Sequence, residues 1–188
     1  MTRILLCCIM LFHCACTTQA ASQTALKPII DNERVTVFDV TSAGSQPSDA
    51  VVVSAAGKAA FVQKGMEPKI DGRSFVIDLK NHPVAPIENK TGYPLGFPRP
   101  GSVKVLENDR VIVWDYTWAP GVPTPMHFHD KDVVVVFLQD GDLKSTSPDG
   151  KSVVNEYKAA TVRFSPRDRT HTETLVRGQQ RAIITELK

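Results

Sequence analysis

GVPTPMHFHDKDVVVVFLQDG, residues 121–141, contains the most informative pattern in this chain. His127 and His129 are separated by one residue, so in an extended strand both imidazole rings project from the same face. Two neutral nitrogens can then converge on one metal ion, and imidazole is a suitable ligand for iron, zinc, copper and nickel. The run of valines that follows predicts a strand over 132–138 that is buried on both faces.

A third histidine follows in the segment PRDRTH, residues 166–171. This segment and the opening stretch together resemble the two motifs of the cupin superfamily. In the first motif, the glycine, the His-x-His pair and the second glycine correspond to Gly121, His127, His129 and Gly141. In the second motif, the proline and the histidine correspond to Pro166 and His171.

The chain departs from both motifs at several positions. The glutamate of the first motif falls on Val133 or Val134. Two glycines and the asparagine of the second motif are replaced by Ala160, Asp168 and Leu175. The resemblance therefore rests on spacing more than on identity, and any metal site of this type would consist of three histidines without a glutamate.

The resemblance implies an all-β cupin jelly-roll barrel over residues 102–188. It also implies a divalent metal ion, iron, manganese or zinc, held by His127, His129 and His171. Short β-branched runs separated by Gly and Asp turns favour the same all-β class. The predicted strands of this region lie at 110–118, 132–138, 152–157, 161–164, 172–177 and 182–186.

The first half of the chain repeats the second. RVTVFDVT at 34–41 and RVIVWDYT at 110–117 are identical at five of eight positions. Two further pairs occur in the same order: 48–53 resembles 131–136, and 73–80 resembles 181–188. We therefore predict a shortened, degenerate cupin-like half over 21–82, a proline-rich linker over 83–101 and the cupin domain after it.

The first twenty residues have the character of a signal peptide. Arg3 is their one charge, residues 4–12 are apolar, and small residues follow at 18–21. Two processing routes stay open: cleavage near Ala20, or lipoprotein-type cleavage before Cys14 or Cys16, which would leave a lipid anchor. Either route predicts an exported protein, periplasmic or secreted, and a membrane contact only through that anchor.

Composition excludes several classes of function. All four cysteines lie within residues 1–20, so the predicted mature chain has no disulfide and no thiolate ligand. Without that segment, 21 basic residues face 20 acidic ones. This balance gives no reason to expect a nucleic acid or a charged membrane surface as partner.

Three charged residues near the motifs are candidates for metal or substrate contacts. Asp132 and Glu173 could supply the missing carboxylate, although we favour a solvated turn for Asp132. Arg163, with Arg167 and Arg169 nearby, could hold an anionic substrate, although an exposed loop is also a normal place for arginine.

Three functional hypotheses follow. Three-histidine cupins of the cysteine dioxygenase and diketone-cleaving types imply a metal-dependent oxidoreductase, a dioxygenase acting on a small organic acid. A non-catalytic cupin that binds or senses a metal or small molecule is the alternative. A metal-free cupin resembling sugar epimerases would need a histidine base and an acid such as Tyr116 or Tyr157. The resemblance also implies a homodimer.

Overall fold

The computed structural model describes residues 27–188, and the predicted signal peptide lies outside this range. No helix in the described part of the chain has the length and apolar character needed to span a bilayer. The described residues form fourteen β-strands. Their bounds are β1 Ile30–Asp31, β2 Val35–Val40, β3 Ala50–Ser54, β4 Ala59–Val62, β5 Ser74–Leu79, β6 Ser102–Glu107, β7 Val111–Trp118, β8 His127–His129, β9 Val133–Phe137, β10 Gly141–Thr146, β11 Ser152–Tyr157, β12 Thr161–Ser165, β13 Arg169–Gly178 and β14 Gln180–Leu187.

Strands β6 to β14 form the predicted jelly-roll barrel from two facing antiparallel sheets. One sheet has five strands in the order β12-β9-β14-β7-β6, and the other has four in the order β11-β10-β13-β8. The barrel interior is filled mainly by aromatic and branched side chains from both sheets. The all-β fold class and the jelly roll are therefore confirmed, whereas β6 and β10 were missed and β13 is longer than predicted.

Strand β9 explains the uninterrupted valine run. Val133, Val135 and Phe137 point into the barrel, while Val134 and Val136 point to the other side of the sheet. There they pack against strands β2, β3 and β5 of the first half of the chain. A strand covered by apolar layers on both faces has no position for a polar residue.

The first half forms a single five-stranded sheet with the order β1-β2-β5-β3-β4. The five-stranded barrel sheet repeats this order as β6-β7-β14-β9-β12. The registers agree as well, because Val35 pairs with Leu79 as Val111 pairs with Leu187. No second sheet accompanies strands β1 to β5 within residues 27–188, so this unit corresponds to only one of the two sheets of the barrel.

The two related sheets pack face to face with reciprocal ion pairs at one end. Arg34 of the first half contacts Asp132 of the second at 2.5 Å. Arg110 of the second half contacts Asp49 of the first at 3.2 Å. These residues occupy equivalent places in the repeat, so the contact between the halves has approximate two-fold symmetry.

The predicted linker lies along the barrel wall. Its Gly96 N–H donates to the Phe128 carbonyl oxygen at 2.8 Å, and the Phe128 N–H donates to the Pro94 carbonyl oxygen at 2.9 Å. This pairing with β8 brings Phe97 and Arg99 of the linker into the barrel, where Phe97 is buried against Trp114.

Candidate metal centre

Three histidines converge inside the barrel because β8 and β13 are paired. His127 lies opposite His171 in this antiparallel ladder, and His129 lies on the same face of β8. The Nε2 atom of His129 is 3.1 Å from that of His127 and 3.2 Å from that of His171. One ligand atom from each residue lies within 4.8 Å of the others, a set that could hold one metal ion.

Burial keeps these imidazoles neutral. It lowers the pKa of His127 to about 3, with the Arg99 guanidinium acting in the same direction. Burial also lowers the pKa of His129 well below its usual range and, more mildly, that of His171. A neutral imidazole has a free lone pair, so all three rings are in the protonation state that metal binding requires.

Hydrogen bonds at the opposite ring nitrogens orient two of the three rings. His127 Nδ1–H donates to the Pro125 carbonyl oxygen at 2.7 Å, which leaves the lone pair on Nε2. His171 Nδ1 lies 3.3 Å from the Ser145 hydroxyl. Outer contacts of this kind fix the tautomer and the direction of metal-binding histidines.

His129 is held by packing instead. Its Nδ1 atom is buried without a hydrogen-bond partner among the described residues. A Cβ atom at Gly96 would lie 2.9 Å from His129 Cε1 and 3.0 Å from His129 Nδ1. The linker backbone can therefore lie against this ring only because residue 96 has no side chain.

Arg99 is the functional residue that sequence reasoning missed. Its guanidinium lies 2.6 Å from His127 Nε2 and 3.3 Å from a Glu173 carboxylate oxygen. It also stacks over the rings of Phe97 and Tyr116. The lone pair on His127 Nε2 accepts the hydrogen bond from Arg99, and the same lone pair would bind a metal. Arg99 therefore directly contacts a candidate metal ligand.

Glu173 lies beside the histidines but already has two donors. Its carboxylate accepts from Arg99 and from Trp118 Nε1, the latter at 3.1 Å. Burial acts to raise the pKa of Glu173, but Arg99 and the neighbouring histidines hold it below its usual value. This side chain is therefore an ionised carboxylate.

The other two sequence candidates lie in different places. Asp132 is buried outside the cavity, where it pairs with Arg34 and accepts the Arg167 backbone N–H. Arg163 lines the cavity and donates to the Tyr157 hydroxyl.

The cavity beside the histidines has a volume of about 240 Å³. Val133 and Val135 of β9 line it, whereas Val134 faces away. The position where the cupin motif has glutamate is therefore Val133, and β9 supplies no carboxylate. The donor set is three imidazoles, which suits iron or zinc and leaves room for further ligands.

No protein-family model matches the chain. A protein of Pseudomonas aeruginosa named β-alanine degradation protein BauB is 40% identical over 55 residues, which are 29% of this chain and 58% of that protein. The chain thus matches little more than half the length of this curated relative.

Several solved structures with similar architecture are described as cupins. A cupin domain from Bordetella pertussis, 28% identical, is covered over 99% of its length by 50% of this chain, with a TM-score of 0.42. A cupin 2 conserved barrel domain protein from Leptotrichia buccalis, 12% identical, aligns over 88% of its length and 86% of this chain, with a TM-score of 0.47. By its own strand topology, residues 102–188 of this chain form a jelly-roll barrel, and three histidines converge inside it.

Proposed function

We propose that this chain is an exported cupin that binds one divalent metal ion through His127, His129 and His171 and acts with it on a small organic acid. The observation that carries the proposal is the convergence of three neutral imidazoles, two of which, His129 and His171, line the cavity. Iron, manganese and zinc are the candidate ions. When bound, such an ion supplies a Lewis-acid or redox centre with open coordination positions.

The protein's own residues would hold the ion, position Glu173 and exclude water. The three imidazoles hold the ion without neutralising its charge, since Val133 replaces the motif glutamate. Arg99 and Trp118 keep Glu173 ionised and in place beside the centre. The apolar wall on β9 and β14 keeps bulk water away from the bound molecule.

An anionic substrate fits this centre. Three neutral ligands leave the full ionic charge on the metal, and a carboxylate or enolate would offset it. A partial match to a protein named for the degradation of β-alanine, which is itself a small carboxylic acid, points in the same direction. Among metal-dependent reactions of such acids, a dioxygenase-type oxidation is our first candidate.

A binding or sensing role without turnover is the second candidate. The observation that favours it is the state of Glu173, the one carboxylate that lines the cavity among residues 27–188. Because it already accepts from Arg99 and Trp118, it is poorly placed to move a proton to or from a substrate.

Metal analysis tests the metal binding that the enzyme and the sensor candidates both require. The full chain, purified without an affinity tag, is expected to bind about one equivalent of metal, and His171→Ala should lose it. His82→Gln is the matched control, because His82 is exposed and lies outside the cavity. Unchanged metal content in His171→Ala would contradict the ligand assignment.

Two further measurements separate the remaining alternatives. Oxygen uptake by the iron-loaded protein with thiols, β-diketones and small acids is expected if it is a dioxygenase, and ligand binding without uptake is expected if it is a sensor. The mass of the mature N-terminus tests export, since it distinguishes cleavage near residue 20 from a lipid-modified cysteine.

A further inference from the structure

The cavity wall carries an excess of positive charge. Arg99, Arg163 and Arg169 line it together with one carboxylate, that of Glu173. Arg99 is paired with that carboxylate. The wall therefore has two guanidinium charges that no acidic side chain of the described cavity residues neutralises.

The partners of the two remaining arginines among the described residues are neutral. Arg163 donates to the Tyr157 hydroxyl at 2.5 Å, and Arg169 donates from Nε to the Pro166 carbonyl oxygen. Neither forms an ion pair with an Asp or Glu in the part of the chain that the structure describes. A guanidinium has five N–H donors, so most donors of both side chains stay available to a bound molecule.

Both arginines adjoin the histidine cluster. Arg169 lies directly opposite His129 in the pairing of β13 with β8, and it precedes His171 by two residues on the same face. Arg163 faces the same cavity from β12. A molecule that contacts these guanidinium groups therefore also reaches the space in front of the three histidines.

We propose that Arg163 and Arg169 form a carboxylate-binding subsite. The ligand is then a small organic acid whose carboxylate is held by these two side chains, while its other end faces the three histidines. The contact between the other end of the ligand and a metal ion rests on the proposed function. The binding of the carboxylate by the two arginines does not require the metal.

The remaining wall of the cavity favours an organic acid over an inorganic anion. Val135, Phe137 and Ile184 line the space together with the arginines. These side chains suit a short hydrocarbon chain, which inorganic phosphate lacks. The volume of about 240 Å³ restricts the ligand to a small acid.

Calorimetric titration of the full chain, both metal-stripped and zinc-loaded, tests the subsite with propionate, propionamide and inorganic phosphate as probes. Propionate is expected to bind at least about tenfold more tightly than its neutral amide, because charge-assisted hydrogen bonds to guanidinium require the carboxylate. Arg163→Gln and Arg169→Gln should each weaken propionate binding about tenfold, in the metal-stripped protein as well.

Arg167→Gln is the matched control. Arg167 lies in the same part of the chain, but its guanidinium donates to the Ala85 carbonyl oxygen and does not line the cavity. This variant should bind propionate as the unaltered protein does, and thermal unfolding checks that all three variants are folded.

Several outcomes would overturn the subsite: equal binding of propionate and propionamide, unchanged affinity in both cavity variants, or binding of phosphate without propionate. Propionate binding that requires zinc and ignores both arginines would place the carboxylate on the metal instead. Metal content is measured separately. If the chain binds no metal but still binds propionate more tightly than propionamide, the subsite is supported and the proposed function is refuted.

Discussion

At the scale of the residue, Gly96 shows how closely the backbone approaches the candidate ligands. Any side chain there would meet the His129 ring at 3.0 Å or less, and the linker is held in place by its pairing with Phe128. Because His129 lacks a hydrogen bond at Nδ1, packing against residue 96 is what restricts its ring.

Replacing Gly96 by alanine should therefore disturb His129 and weaken metal binding. We expect an affinity lower by about tenfold, as for other losses of support around a metal ligand. Gly44→Ala is the control, since a Cβ there meets no atom within 4 Å. Competition with a chromogenic chelator measures both variants, and equal affinities would show that packing does not position His129.

The three buried imidazoles also predict how the stability of the metal-free protein depends on pH. Their pKa values are lowered in the folded state, that of His127 to about 3, from an ordinary value near 6.5. Between these values the unfolded chain binds more protons than the folded chain. Stability is therefore fully present above about pH 6.5 and falls as the pH drops towards 3.

Denaturant titration across this range should show the loss. A variant in which His127, His129 and His171 are all glutamine should lose less stability between pH 6.5 and 4 than the unaltered metal-free protein. Parallel curves for the two proteins would contradict the assignment of buried neutral histidines.

At the scale of the element, β9 serves two cores at once. Its odd-numbered residues line the barrel and the cavity, and its even-numbered residues contact the sheet of the first half. Adjacent valines of identical chemistry therefore have different environments, a difference that neither the cupin motif nor the valine run reveals.

Glutamate substitutions at the two positions should separate these environments. Val133→Glu places a carboxylate in a cavity with three arginines, so we expect a folded protein that binds metal about tenfold more tightly. Val134→Glu buries a charge between two apolar sheets and should cost roughly 3 kcal/mol or more of unfolding free energy. Metal titration and chemical denaturation test both variants. If Val133→Glu is less stable than Val134→Glu, the assignment of Val133 to the cavity and of Val134 to the contact between the sheets is wrong.

At the scale of the whole molecule, the first half covers a face of the barrel that a second protein chain could otherwise cover. Its sheet repeats the strand order and register of the five-stranded barrel sheet and covers the outer face of that sheet. The expected homodimer stays a prediction, and it would have to use another surface.

The reciprocal ion pairs between the halves differ in burial, and their energies should differ accordingly. Arg34 and Asp132 are each 9% exposed, whereas Arg110 and Asp49 are 35% and 29% exposed. Arg34→Ala leaves Asp132 buried without its partner and should cost about 3 kcal/mol, while Arg110→Ala should cost about 1 kcal/mol or less. Chemical denaturation measures both, and equal losses would show that burial does not control these pairs.

Local patterns were enough to predict much of this molecule. The strands β7 and β9, the barrel class and the repeated half follow from residue alternation, turn residues and motif spacing, all of which act over short stretches of chain. The pair His127 and His129 shares a face because of strand geometry alone. For the same reason, Asp132 could be placed near the motif but not assigned to a cavity.

Strand patterns and histidine spacing were sufficient to predict an all-β jelly-roll fold and the three histidines that could form its centre. Three contacts became evident from the three-dimensional packing alone: Arg99 enters the site from the linker, Glu173 pairs with Arg99, and Asp132 pairs with Arg34. These are contacts between residues 28 to 98 positions apart. Such contacts depend on how sheets and linker pack, and no local pattern encodes that packing.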